Sequence, residues 1–155
     1  MISGFDDRLI GLIESHPSIT VGTCDRALVP TMSRAFGARV IGHGEAVEVL
    51  ISRWPGARAA DNIAATGRIA VTFTAPETFD AFQIKGRAVE TADCSEDDLR
   101  LAAVYTDAIR DRIRRLDEPE AVVLTTFTAR GLYRVRLIPE AVFLQTPGKN
   151  AGQRL

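Results

Sequence analysis

The feature that most constrains this chain is a series of short segments in which apolar and polar residues alternate, set close together and separated by turn-forming residues. Ser18 to Cys24 puts Ile19, Val21 and Thr23 on one side. Ala46 to Ser52 alternates Val47, Val49 and Ile51 with Glu48 and Leu50, and Arg68 to Ala75 carries Ile69, Val71 and Phe73 on one face. Successive side chains of a strand point to opposite faces, so each segment reads as a strand with one side on a core. Pro30 to Phe36 reads as a second strand, with Arg39 to Ile41 a third or its continuation past Gly37. Phe79 to Thr91 is a long strand with Gly86 in its middle, where glycine marks a bulge or a close backbone approach. Leu132 to Ile138 alternates Tyr133, Val135 and Leu137 with Arg134 and Arg136, and Val142 to Gln145 extends it beyond Pro139. That alternation puts Arg134 and Arg136 on the wet face.

Three stretches have helical spacing instead. Gly4 to Glu14 sets Phe5, Leu9, Ile10 and Ile13 on one face, carries Asp6 and Asp7 near its positive end, and stops before Pro17. Ala57 to Ala65 is rich in alanine, with Gly67 placed as a left-handed cap. Ser95 to Arg115 is the longest; Ser95 and Asp98 form an approximate capping box, and Leu99, Ala102, Ala103, Ile109, Ile113 and Leu116 make the expected buried stripe. Its arginines Arg110, Arg112, Arg114 and Arg115 read as a solvated face that suits the helix dipole. Glu118 to Phe127 is ambiguous between helix and strand, and the tail 146–155 reads as a loop.

Strands at short spacing without regular βαβ alternation exclude a doubly wound parallel sheet and favour an antiparallel β-barrel with peripheral helices. The expected organisation is a mostly β single domain over 1–155, with an N-terminal helix in 1–15. With 19 basic and 20 acidic residues the chain lacks the basic footprint of a general nucleic-acid binder. No apolar run approaches the roughly 20 residues of a membrane span, and the acidic start Met1 to Asp7 does not resemble a secretory signal. Cys24 and Cys94 lack CxxC spacing and read as reduced thiols, so a cytoplasmic location is expected. The phosphate loops GxGxxG and GxxxxGK[ST] and the GxSxG elbow are absent. His16 and His43 have no neighbours at ligand spacing and read as surface residues, so no metal site is expected.

The informative pieces are Pro30 to Arg39 (PTMSRAFGAR), Ile51 to Asn62 (ISRWPGARAADN) and Phe79 to Ala88 (FDAFQIKGRA), with the tail Phe143-Leu144-Gln145-Thr146-Pro147-Gly148 followed by Ala151-Gly152. In this order they resemble the pyridoxamine 5'-phosphate oxidase-like, FMN-binding split-barrel family, over about residues 15 to 150. The resemblance implies a six-stranded split barrel that forms a homodimer and holds flavin mononucleotide (FMN) between subunits, acting as an oxidoreductase on a small molecule. The cofactor-binding positions it implies are Ser33 and Arg34 on the early strand, Ser52, Arg53 and Arg58 before and within the small helix, and Gln83 and Lys85 on the long strand. The chemistry agrees: a phosphate dianion needs cationic side chains together with hydroxyl or backbone donors, and a helix start adds attraction. Gln83 and Lys85, two apart on a strand, share a face, while Phe82 and Ile84 point inward. Trp54 is placed to stack on a flavin or nicotinamide ring, to cap the barrel end or to fill a dimer contact. No side chain is nominated as a catalytic acid or base.

The departures matter too. Many flavin-binding members carry a Ser-Arg-Lys or Ser-x-Lys run before the small helix; here the stretch is Ser52-Arg53-Trp54-Pro55-Gly56, without lysine. The Arg-x-x-Leu-Leu-Lys run of the vitamin B6 oxidases is absent, which argues against that activity. Two other readings stay open: a non-enzymatic split-barrel dimer that has lost its flavin, and a haem-binding relative using His16 or His43. A deazaflavin in place of the flavin is a further option.

Overall fold

The computed structural model describes residues 2–54, 57–116, 119 and 129–155. Among them six strands and three helices run in the order α1 (Asp7–Glu14), β1 (Ser18–Cys24), β2 (Pro30–Ile41), β3 (Ala46–Ser52), α2 (Arg58–Thr66), β4 (Arg68–Thr74), β5 (Ala81–Asp93), α3 (Glu96–Arg114) and β6 (Leu132–Leu144). The strands are antiparallel and close into a barrel of order β1-β2-β3-β6-β5-β4, with β4 returning to β1. The segment Glu118 to Phe127, ambiguous in sequence, lies outside the described residues apart from Pro119.

Alternation explains the barrel. Ile19, Val21, Val47, Val49, Ile51, Val71, Phe73, Ile84, Val135 and Leu137 are buried and join one core. Pro30 to Ile41 is one strand; its register against β3 shifts between Ala35 and Ala38, which carries it past Gly37. Pro139 is likewise absorbed into β6, opposite Gly86 at a register shift in the β5–β6 ladder. Gly86 is required there, because a Cβ would lie 2.2 Å from the Ile138 carbonyl oxygen. The tail 146–155 is formed of turns and doubles back on β6, with the Leu155 amide donating to the Val142 carbonyl at 2.9 Å.

Two helices close the barrel ends. α1 is capped by Asp6, whose carboxylate accepts from the Leu9 amide at 3.0 Å, and it buries Leu9 and Ile13, with Phe5 buried just ahead of the cap. α2 covers the opposite end with Ala59 and Ile63, and its buried Asn62 donates to Thr23 Oγ1 at 3.1 Å. Gly67 ends α2 in the left-handed conformation (φ 65°), as its position predicts.

The third helix departs from its predicted stripe. Ser95 and Asp98 do form the capping box, but α3 buries Asp98, Ala102, Tyr105 and Ile109, while Leu99 and Leu116 are exposed. The reason is what lies beneath it. Arg39, Glu48, Arg136 and Glu90 form a cross-strand row on the outside of β2, β3, β6 and β5. Glu48 takes Arg39 at 2.6 Å and Arg136 at 2.6 Å, Arg39 reaches Asp98 at 2.5 Å, and Arg134 reaches Glu90 at 2.7 Å. Glu48 and Asp98 are buried, at 2% and 0% exposure. Arg134 and Arg136 therefore do not stand on a wet face; they are half-buried members of an ion network. Arg112, expected in solvent, is instead tucked against the end of α1, donating to the Ser15 and His16 carbonyls and pairing with Glu77 at 2.5 Å.

Candidate functional site

The implied cofactor residues fall into two regions, because neighbours on a strand point opposite ways. Ser33 and Arg34 are consecutive on β2. Ser33 is buried and donates to the Ser52 carbonyl at 2.9 Å, whereas Arg34 points outward and donates to Ser18 Oγ at 3.2 Å. Burial lowers the Arg34 pKa from its usual value, with Tyr105 working the other way.

The first region is the barrel mouth beside the start of α2. The Ser52 hydroxyl joins β3 to β6: it accepts from the Trp54 and Arg130 amides at 3.3 and 3.1 Å and lies 2.7 and 3.0 Å from their carbonyls. Arg53 follows and lays its guanidinium over the Tyr133 ring, 4.7 Å from the centroid, with its stem against Gly131. Its only ion pair among the described residues is loose, 4.0 Å to the fully exposed Asp93. Arg58 opens α2 and is exposed, and the N-cap Ala57 offers the first turn no side-chain acceptor. Trp54 is 62% exposed. Beneath Arg53 lies Tyr133, 1% exposed, whose hydroxyl has no hydrogen-bond partner among the described residues. Burial pushes this phenol up to about 12, against the pull of Arg53, while the Asp61 carboxylate of the first turn of α2 adds to the rise.

The second region is the outer face of β1, β4 and β5. Arg34, Thr20, Thr72 and Gln83 are successive partners in one cross-strand row, and Gln83 donates to Thr72 Oγ1 at 3.0 Å. The next row is Met32, Gly22, Ala70 and Lys85. Gln83 and Lys85 thus share the outward face while Phe82 and Ile84 are buried, as expected. Lys85 sits with its ammonium 4.5 Å from the Phe143 ring centroid. It borders a cleft of about 640 Å³ whose lining includes Gly22, Ala70, Arg68, Arg87 and Glu140.

Comparison with solved structures follows the whole described barrel. A candidate pyridoxamine 5'-phosphate oxidase from Lactobacillus delbrueckii is 15% identical, with 89% of this chain and 92% of that chain covered at a TM-score of 0.55. An FMN-binding protein from Syntrophomonas wolfei is 14% identical over 94% of this chain and 88% of that one, at 0.54. The haem storage protein HutZ from Vibrio cholerae is 15% identical over 90% and 94%, at 0.52. The fold is the split barrel of the pyridoxamine 5'-phosphate oxidase-like proteins. No family model and no curated protein matches the sequence.

Within this split barrel the histidines are far apart in role. His43 is an exposed turn residue 3.7 Å from Asp7, and His16 lines a cavity of about 210 Å³ between the end of α1, β2 and α3. No described helix is long and apolar enough to cross a membrane. Sequence reasoning missed Tyr133, read only as a core residue, and the pair Arg68 and Arg87. A two-residue turn at Pro76-Glu77 would set Arg68 opposite Lys85; the longer connection between Thr74 and Ala81 moves the register by two residues and sets it opposite Arg87.

Proposed function

We propose that this chain binds a flavin-type cofactor, FMN, and acts as a flavin-dependent oxidoreductase on a small organic molecule. The observation that carries the reading is the mouth at α2, where Arg53 lies over a tyrosine whose buried hydroxyl has no partner among the described residues. An unsatisfied buried hydroxyl costs about 1–3 kcal/mol, so it is a group that a ligand oxygen would satisfy. A phosphate fits this donor set: Arg53 and Arg58 supply charge and the helix start supplies amides. The Tyr133 phenol, with its pKa raised, keeps its proton at neutral pH and acts as a donor. Ser33 and Ser52 hold the mouth in shape through bonds to the chain itself. The flavin, when bound, supplies the electron transfer; the protein binds and orients it.

Arg34, Gln83 and Lys85 belong to the outer face of the same barrel. A second copy seated on that face would bring the two sets together, and the exposed Leu28, Val29 and Met32 at the β1–β2 end support a homodimer. The purified protein is expected to be yellow, or to quench flavin fluorescence when FMN is added, and Arg53→Ala with Arg58→Ala should weaken that binding by about tenfold or more. Light scattering should give twice the chain mass. Colourless protein that ignores FMN sinks the reading in favour of a flavin-free split barrel, and a Soret band on adding haem would turn it toward His16 or His43.

A further inference from the structure

We propose that the cavity between the end of α1, β2 and α3 is a binding site for a small uncharged carboxamide. The cavity measures about 210 Å³. Sites for drug-sized ligands run from roughly 300 to 1,000 Å³, so this one takes a body smaller than a flavin. None of the implied cofactor positions lines it, and neither do Leu28, Val29 and Met32 of the β1–β2 end. Its occupancy therefore does not rest on the flavin reading.

The backbone around the cavity is irregular on two sides. His16 adopts the left-handed conformation (φ 57°), uncommon for a residue with a side chain. Contacts to three consecutive carbonyls hold it there. Arg112 donates to the Ser15 and His16 carbonyls at 2.5 and 2.9 Å, and the Tyr105 hydroxyl donates to the Pro17 carbonyl at 2.5 Å. Glu77 fixes Arg112 in turn, at 2.7 and 2.5 Å. Backbone outliers pinned from several sides cluster at functional positions, and this one sets His16 in the cavity wall. On the facing wall, Phe36 and Gly37 of β2 stand against Leu50 alone, a bulge of the kind found beside binding sites.

The polar groups select the ligand. Arg39 can only donate: its Nε and Nη2 go to Glu48 and Asp98, and Nη1 has no partner among the described residues. Glu14, exposed at the rim, can only accept and is also unpaired among the described residues. A neutral imidazole offers one donor and one acceptor, and the His16 ring has only the Tyr105 ring beside it, at 6.3 Å between centroids. A carboxamide matches this set, its oxygen accepting from Arg39 and its NH2 donating to Glu14 or His16. Charge points the same way. Arg39 and Glu14 contribute one charge of each sign, so the walls favour neither a carboxylate nor a cation. Ile13, Val40, Leu101 and the Tyr105 ring make the rest of the wall apolar, which suits a hydrocarbon body.

The test is an NMR titration of the full-length protein with benzamide, benzoate and benzamidine, molecules of nearly one shape that are neutral, anionic and cationic. Benzamide should bind with a dissociation constant of about a millimolar or tighter and shift the His16 ring signals together with the Gly37 and Ala38 amides. The exposed His43 ring is the internal control and should not move. Each charged probe should bind at least about tenfold more weakly. His16→Gly should abolish the amide shifts without lowering the melting temperature, because glycine enters the left-handed conformation freely, so lost binding is not lost folding. Leu101→Phe keeps every polar group but fills the hollow, and should weaken benzamide by about tenfold or more. The proposal is overturned if benzamide leaves the His16 ring unmoved, if either charged probe binds as tightly, or if His16→Gly binds benzamide like the parent.

Discussion

Two faces of one barrel use the same kinds of residue to opposite ends. On the β2–β3–β6 side, Arg39, Arg134 and Arg136 meet Glu48, Glu90 and Asp98 under α3, three cations to three carboxylates. On the β1–β4–β5 side, Arg68, Lys85 and Arg87 surround a hollow with Glu140 as their single acidic neighbour in its lining. The number of arginines and lysines does not separate one face from the other. Pairing does: the first face is charge-balanced and roofed by a helix, the second is unbalanced and open.

The largest expected effect comes from unbalancing the closed face. Glu48→Ala takes from Arg39 and Arg136 the buried carboxylate they share, leaving them Asp98 and Glu90, and should cost about 2 kcal/mol, measured by urea denaturation. A loss under about 0.5 kcal/mol would show that the network is no different from surface charge. Acid should act on the same face. Burial alone would raise Glu48 and Asp98, but hydrogen bonds from Arg136 and Arg39 to the first, and from Ser95 and Arg39 to the second, outweigh it and lower both pKa values. Their folded values lie below the unfolded ones, so the unfolded chain takes up protons first. The stability these groups contribute is complete above the ordinary values of 4.5 and 3.8 and is lost as pH falls through the folded values. The urea midpoint should therefore drop below about pH 4.5, and Glu48→Ala should flatten that drop.

Smaller effects distinguish the mouth from both faces. Tyr133→Phe removes a buried hydroxyl without a described partner and should leave stability unchanged or raise it by up to about 1 kcal/mol, while weakening FMN binding. A clear loss of stability would mean that the hydroxyl is already satisfied in the folded chain. On the open face, Arg68→Gln should move stability by less than about 0.5 kcal/mol, because its charge has no described partner to lose.

Much of the fold was legible because local rules sufficed. The alternation in Ser18–Cys24 and Ala46–Ser52, the Ser95–Asp98 box, the Gly67 cap and the tight approach at Gly86 each follow from a few neighbouring residues. What was not legible depends on which element lies over which. Arg134 and Arg136 alternate like any solvent-facing pair, and only the placement of α3 converts them into network members. The same placement explains why α3 presents Asp98 and Tyr105 inward and leaves Leu99 outside. For the site, the outward pairing of Gln83 with Lys85 followed from strand periodicity, but the solitary hydroxyl of Tyr133 has no sequence signature: the same residue with a partner would be written identically.

The β1–β4 ladder has one more effect. Because Ile19 to Thr23 pair on both sides, with β2 and with β4, β1 has no free edge over those residues at which another chain could add a strand. Self-association at β1 must therefore run through its side-chain surface, and it will respond to ionic strength and to single substitutions rather than spread as a growing ribbon.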